Sequence, residues 1–165
     1  TGRLLDAETL ERLSSLHAEF YLRRAAGVVA LPGATELLRS LRDHGVPFAI
    51  ATSGKRVTAS SALELLDLPE GTVVVTRDLV ERAKPDPDLF LAAADLLGVE
   101  PQHSFVVGDS IWDLLAAQRA GSLGVGLLSG GYGRAELQAA GAYRVYDDPA
   151  DMLNHSEEVG VRPAK

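Results

Sequence analysis

A chain of 165 residues has room for one domain, or for a core domain with part of a second. Its apolar fraction of 46% and charged fraction of 24% are those of a globular protein, which sets aside disorder over most of the length. A net charge of −7 argues against nucleic acid as a partner, and the absence of cysteine excludes disulfides and thiolate metal sites.

No apolar run reaches the roughly 18 residues that a membrane helix needs, and the first residues do not read as a signal peptide. A cytoplasmic protein with no membrane partner is the expectation. A small anionic ligand stays open, because one or two local cations can dominate a pocket.

In chain order, residues 6–26 place Leu10, Leu13, Leu16, Phe20 and Tyr21 at helical spacing, with Glu11, Arg12, Glu19 and Arg23 opposite. Asp6 is the expected N-cap. Leu31-Pro32-Gly33 breaks the pattern, and residues 34–44 read as a helix closed by Gly45. Residues 46–51 form a short apolar run ending in Thr52-Ser53-Gly54, and residues 55–66 are helical. Residues 72–75 are β-branched, residues 86–97 helical, and residues 104–107 are an apolar run ending in Gly108-Asp109. A helix over 110–120, a strand over 123–128, a glycine-rich stretch at 130–133, a helix over 134–140 and a strand over 143–146 follow. Residues 151–153 read as a last turn before a loose tail.

Short strands apolar on both faces, alternating with helices of ten or more residues, predict parallel pairing through helical crossovers. The expected fold is a three-layer, doubly wound α/β domain. Ligands of such sheets bind beyond the carboxyl ends of the strands. That rule selects Thr52, Ser53 and Gly54 after one strand and Asp109 and Ser110 after another, with Lys84 between them in sequence. Hydroxyls and backbone amides suit phosphoryl oxygens, a lysine adds a compact cation, and carboxylates hold Mg²⁺.

Each residue also has a purely structural reading. Thr52 and Ser53 are candidate caps for the next helix, and Asp86-Pro87 reads as an N-cap followed by proline at N1. Asp113 lies three residues after Ser110, which fits a capping box as well as a functional carboxylate. A carboxylate directly ending a buried strand, as Asp109 does, needs a partner. Gly130-Gly131-Tyr132-Gly133 can cradle an anion but reads better as a turn. Trp112 reads as packing, and none of His17, His44, His103 and His155 has metal-ligand spacing.

Three stretches, Phe48-Ala49-Ile50-Ala51-Thr52-Ser53-Gly54, Ala83-Lys84-Pro85-Asp86-Pro87-Asp88-Leu89-Phe90 and Val106-Val107-Gly108-Asp109-Ser110-Ile111-Trp112-Asp113, together resemble the haloacid dehalogenase superfamily. The likeness is to its helical-cap branch of phosphatases and phosphomutases, such as phosphoglycolate phosphatases and β-phosphoglucomutases. It implies Mg²⁺-dependent hydrolysis of a small phosphorylated metabolite through an aspartyl-phosphate. Thr52 would bind the phosphoryl group with Ser53 and Gly54, and Lys84 would bridge the phosphate and the nucleophile. Asp109 would bind Mg²⁺, and Asp113 would support the metal shell or orient Lys84. Residues 1–31 would be the last part of a helical cap, residues 32–153 the α/β core, and residues 154–165 the tail.

The resembling family begins with an Asp-any residue-Asp-Gly-Thr motif, which supplies the nucleophile and the general acid and base; this sequence does not contain it. The expectation is a nucleophile in an upstream segment, no activity in the 165 residues alone, and two strand edges left without a partner. A phosphomutase using the same groups and an inactive binding domain are the alternatives. A metal-free dehalogenase is disfavoured by Gly108-Asp109.

Overall fold

The computed structural model describes residues 5–25 and 27–161. Its elements in order are α1 (Ala7–Ala25), α2 (Ala34–Asp43), β1 (Ala49–Ala51), α3 (Arg56–Glu64), β2 (Val73–Val75), α4 (Asp88–Leu97), β3 (Phe105–Gly108) and α5 (Ile111–Ala120). Then come β4 (Leu123–Leu127), α6 (Arg134–Ala139), β5 (Ala142–Tyr146) and α7 (Pro149–Asn154). Each lies where the apolar pattern places it, with strands trimmed at their ends. Asp6 caps α1 as expected, accepting from the Thr9 amide at 2.8 Å. At the end of α5, Gly121 takes φ 82, a left-handed conformation that costs glycine little, and lets Ser122 N–H reach back to the Ala117 carbonyl at 3.0 Å.

All strand pairs are parallel, and the α/β class is the one read from the sequence. The strands form a two-stranded sheet β1-β2 and a three-stranded sheet β3-β4-β5, in keeping with the expected pair of unpartnered strand edges. Among the described residues β1 pairs only with β2, and β3 only with β4. Helix α4 lies on β1 and β2, α5 lies on β3 and β4, and the two helices pack side by side. The helical layer thus spans both sheets.

The period of two along β4 explains the layers. A Cβ on Gly124 would stand 2.8 Å from a methyl of Leu114 on α5, and one on Gly126 would stand 3.1 Å from Leu137 on α6. Val125 and Leu127, pointing the other way, join Leu37 of α2, Tyr146 of β5 and Met152 of α7 in a buried cluster. Gly33 sets the approach of α2 to α7: a Cβ there would meet the Ala150 backbone at 2.5 Å.

The tail expected to be loose from residue 154 is packed over its described part, residues 154–161. Residues Ser156–Val159 form a 3₁₀ turn, and Val159 and Val161 are buried in the same cluster as Leu37 and Met152. Residues 162–165 lie outside the described part. By contrast, α1 buries no side chain and meets the body mainly at α3. Leu10, Leu13 and Phe20, the apolar stripe that made it amphipathic, are exposed. Among the described residues no helix is long and apolar enough to cross a membrane.

Tyr146 ties the C-terminal turn to β5. Its hydroxyl, in a side chain only 4% exposed, donates to Glu158 Oε2 at 3.1 Å. Burial first, and then the hydrogen bond to the Glu158 carboxylate, push the phenol up to about 12. Because the neutral form is the one the fold favours, this stabilisation is complete below the ordinary tyrosine range and is lost as pH rises toward about 12. Tyr146→Phe is expected to cost about 1 kcal/mol at neutral pH. Urea melts repeated at rising pH check the sign: the deficit of the variant should shrink through the alkaline range.

Candidate active site

Thr52, Ser53 and Gly54 leave the carboxyl end of β1. The Thr52 amide extends the ladder to the Val75 carbonyl at 2.9 Å, and its Oγ1 accepts from the Gly54 amide at 3.0 Å. Neither Thr52 nor Ser53 caps α3: Lys55 stands at its N-cap, with no side-chain hydrogen bond from it. Asp78 supplies the missing acceptor, taking the Arg56 amide at 2.6 Å. That bond, more than its other contacts, holds the Asp78 carboxyl below the usual carboxylate range. Ser53 is left exposed and Thr52 half-buried.

Lys84 sits on a loop, residues 80–87, with neither helix nor strand of its own. Three arginines hold it. The Arg77 guanidinium donates to the Val80 and Glu81 carbonyls, while its backbone amide reaches Gly54 O at 3.1 Å, which links this loop to the one after β1. Arg82 closes the loop on Asp88, at 2.8 Å between Nη2 and Oδ1, and thereby lowers the Asp88 carboxyl. Arg119 of α5 donates to the Pro85 carbonyl at 3.0 Å. Asp86 faces Arg119 and Arg82 at 3.8 and 3.9 Å, so it is not an N-cap: α4 begins two residues later, after Pro87.

Lys84 Nζ donates to Asp113 Oδ1 at 2.5 Å, and the two side chains are only 18% and 8% exposed. The same ammonium lies 5.9 Å from the centre of the Phe90 ring. Asp113 Oδ2 accepts from the Ser110 hydroxyl at 2.6 Å and from its amide at 3.1 Å, while Ser110 Oγ accepts from the Asp113 amide. Asp113 thus makes two contacts, one local and one distant in the chain. It completes the capping box of α5 with one oxygen and fixes Lys84 with the other.

Asp109 follows β3 directly and is half-buried. Its neighbours leave it little room. A Cβ on Gly130 would stand 2.2 Å from the Asp109 carbonyl and 2.6 Å from Cγ, and one on Gly108 would stand 2.3 Å from Asp113 Cβ. The stretch 130–133, read as a turn, thus presses its first glycine against a candidate ligand, while the Gly133 amide is taken by Glu136 at 2.7 Å. Sequence spacing gave no sign of the Gly130 contact or of Arg77, Arg82 and Asp78.

Among the described residues no group of three or more His, Asp or Glu side chains converges as a metal cluster. The donor set nevertheless suits Mg²⁺, which takes one or two carboxylates and fills its other positions with water and phosphate. The Asp109 carboxylate enters none of the hydrogen bonds and ion pairs just described, and a half-buried charge of that kind gains from a cation. Asp113, with both oxygens engaged, is better placed to orient Lys84 than to bind metal.

A cavity of about 480 Å³ opens on the Thr52 side, between α1 and α3, with His17, Tyr21, Ile50, Thr58 and Leu66 in its walls. Lys84, Asp109 and Asp113 do not line it. Trp112, expected in the packing, is 48% exposed at the start of α5, because the buried face of that helix carries Asp113, Leu114, Ala116 and Ala117.

Residues 3–121 match the family model described as haloacid dehalogenase-like hydrolase. The chain belongs to that family. A hydrolase from Pseudomonas syringae of known crystal structure is 51% identical, with a TM-score of 0.90 over 94% of this chain and 72% of that one. A HAD family hydrolase from Deinococcus radiodurans R1, crystallised with bound phosphate and sodium, is 34% identical with a TM-score of 0.79, covering 98% of this chain and 72% of that one. Among curated relatives, hexitol phosphatase A of Escherichia coli is 43% identical over 58% of this chain. Phosphoglycolate phosphatase of Rhodospirillum rubrum is 36% identical over 92% of it. The haloacid dehalogenase-like chain spans 44% and 64% of the lengths of these two phosphatases.

Proposed function

We propose that this chain carries the phosphate-gripping part of a Mg²⁺-dependent phosphatase acting on a small phosphorylated metabolite. The observation that carries the reading is the pairing of Lys84 with the buried Asp113 at 2.5 Å, four residues beyond an Asp109 whose carboxylate enters none of the site's described hydrogen bonds and ion pairs. Thr52 would donate its hydroxyl to a phosphoryl oxygen, with the Ser53 and Gly54 amides beside it. Lys84, immobilised by Asp113, would neutralise a second oxygen and sit between phosphate and nucleophile. Asp109 would hold Mg²⁺, and the bound metal would offset charge building on the transferring group.

The nucleophile would be an aspartate supplied by polypeptide outside these 165 residues, giving an aspartyl-phosphate that water then cleaves. Among the described residues β1 and β3 each keep an edge without a partner, which supports a further parallel strand as its carrier, and so does the greater length of the relatives. Helix α1, with its exposed apolar stripe, would belong to a cap closing over the substrate. Residues 32–153 would be the core and residues 1–31 the end of that cap. The two curated relatives described above are phosphatases by name, which favours hydrolysis over return of the phosphoryl group to a sugar.

The deciding experiment assays a panel of phosphate esters with the 165 residues alone and with the upstream segment restored. Turnover is expected only with the segment, and only with Mg²⁺ added. Release of phosphate by the 165 residues alone would refute the reading.

A further inference from the structure

Lys84 is held from two sides of unequal character. Arg77 and the Arg82–Asp88 clasp fasten its loop to neighbouring parts of the β2–α4 connection. Helix α5 grips the same loop across the core at two points. Near its N-terminus Asp113 takes the Lys84 ammonium, and six residues on Arg119 takes the carbonyl of Pro85, the very next residue. Six residues of helix span about 9 Å, so the two grips are well separated along one rigid rod. Among the hydrogen bonds and ion pairs of the described residues, these two and the 3.8 Å ion pair of Arg119 with Asp86 are the ones that tie the Lys84 loop to α5.

One grip on the tip of a long side chain does not fix where the lysine backbone lies, because its flexible four-carbon stem intervenes. The second grip removes that freedom by fixing the main chain beside it. Arginine is well shaped for such a grip. Arg119 Nη1 donates to the carbonyl at 3.0 Å and lies 3.8 Å from Asp86 Oδ1, so a charged donor meets the main chain beside a carboxylate. A surface ion pair with Asp86 alone would contribute little.

We propose that Arg119 is a positioning residue for Lys84: it pins the Lys84-Pro85 backbone to α5 so that the ammonium meets Asp113. The contact does not depend on the phosphatase reading; its consequence for turnover does.

The test compares Arg119→Ala, Arg119→Lys and a distant control, Arg144→Ala, in the full-length protein. Brief acetylation followed by mass spectrometry gives the labelling rate of Lys84 against the exposed Lys55 of the same molecule. In Arg119→Ala, Lys84 is expected to label severalfold faster relative to Lys55. The melting temperature should stay within about 2–4 °C of the parent, as for loss of a surface contact, and kcat should fall roughly tenfold, as for a modest misplacement. Arg119→Lys, which keeps a donor for the carbonyl, should recover part of both effects, and Arg144→Ala should show neither. Unchanged Lys84 labelling in Arg119→Ala, or equal labelling in Arg119→Ala and Arg144→Ala, overturns the proposal. Faster labelling in a protein whose parent hydrolyses no phosphate ester leaves Arg119 as the positioning residue and removes the phosphatase reading instead.

Discussion

Replacing Asp109 with asparagine in the full-length protein is expected to lower turnover of a phosphate monoester roughly 100- to 1,000-fold, as losing several kcal/mol of metal-borne charge stabilisation would. The residual rate should also lose most of its dependence on added Mg²⁺. The reason lies in how little freedom the site gives this side chain. Asp109 stands at the mouth of β3 with the Gly130 backbone against it, where a single Cβ would come within 2.2 Å of its carbonyl. None of the arginine and lysine contacts that build the site takes up its charge. Asparagine keeps the shape and removes the anion, so a metal-holding role is isolated from a packing role.

Stability gives the control. Among the described residues no hydrogen bond or ion pair of the site engages the Asp109 carboxylate, so neutralising it takes no such contact from the fold. Asp109→Asn should therefore melt at the same temperature as the parent or slightly higher in metal-free buffer. A structural carboxylate would do the reverse, losing stability along with activity. Near-normal rates in the variant, with Mg²⁺ dependence intact, would remove Asp109 from the metal site.

The layered α/β class was legible because strands apolar on both faces and helices with glycine stops advertise themselves locally. What escaped local reading was decided by partners far along the chain. Asp86 looks like the start of a helix by its Pro87, yet Arg119, 33 positions later, and Arg82 draw it aside, and α4 waits for Asp88. Thr52 and Ser53 look like caps for α3, yet Asp78, 22 residues on from Arg56, takes that place. Val159 and Val161 sit in a tail with no periodicity, and only the cluster built by α2, β4 and α7 gives them a place to be buried. The division of the sheet is of another kind. It was foreseeable only through the family likeness, since no property of β1 or β3 alone says which neighbour it needs. Within the site, the residue types were readable, but the hands that hold them were not: Arg77, Arg82 and Arg119 all bond backbone carbonyls or a carboxylate brought near by folding.

Asp113→Ala is expected to be the most destabilising single change in the site, at about 1–3 kcal/mol for the ion pair, because removing one partner of this part-buried pair strands the other. Lys84, 18% exposed, would keep its ammonium beside the Phe90 ring with its anion gone. The change also removes the side chain that answers the Ser110 amide, a further cost of about 1 kcal/mol typical of a lost helix cap. Asp113→Asn should be milder, since the amide oxygen can still accept from Ser110 while the charge is gone. A double-mutant cycle separates the two roles. If the ion pair dominates, Asp113→Ala made in a Lys84→Met background should cost markedly less than in the parent, leaving mainly the cap term, with a coupling of about 1–3 kcal/mol measured by urea denaturation. Additive losses would mean that Asp113 serves α5 alone and that the 2.5 Å contact with Lys84 contributes nothing to the fold. Lys84 would then need no anchor to occupy its place, and the case for a lysine fixed in advance against a phosphoryl oxygen would lose its physical basis.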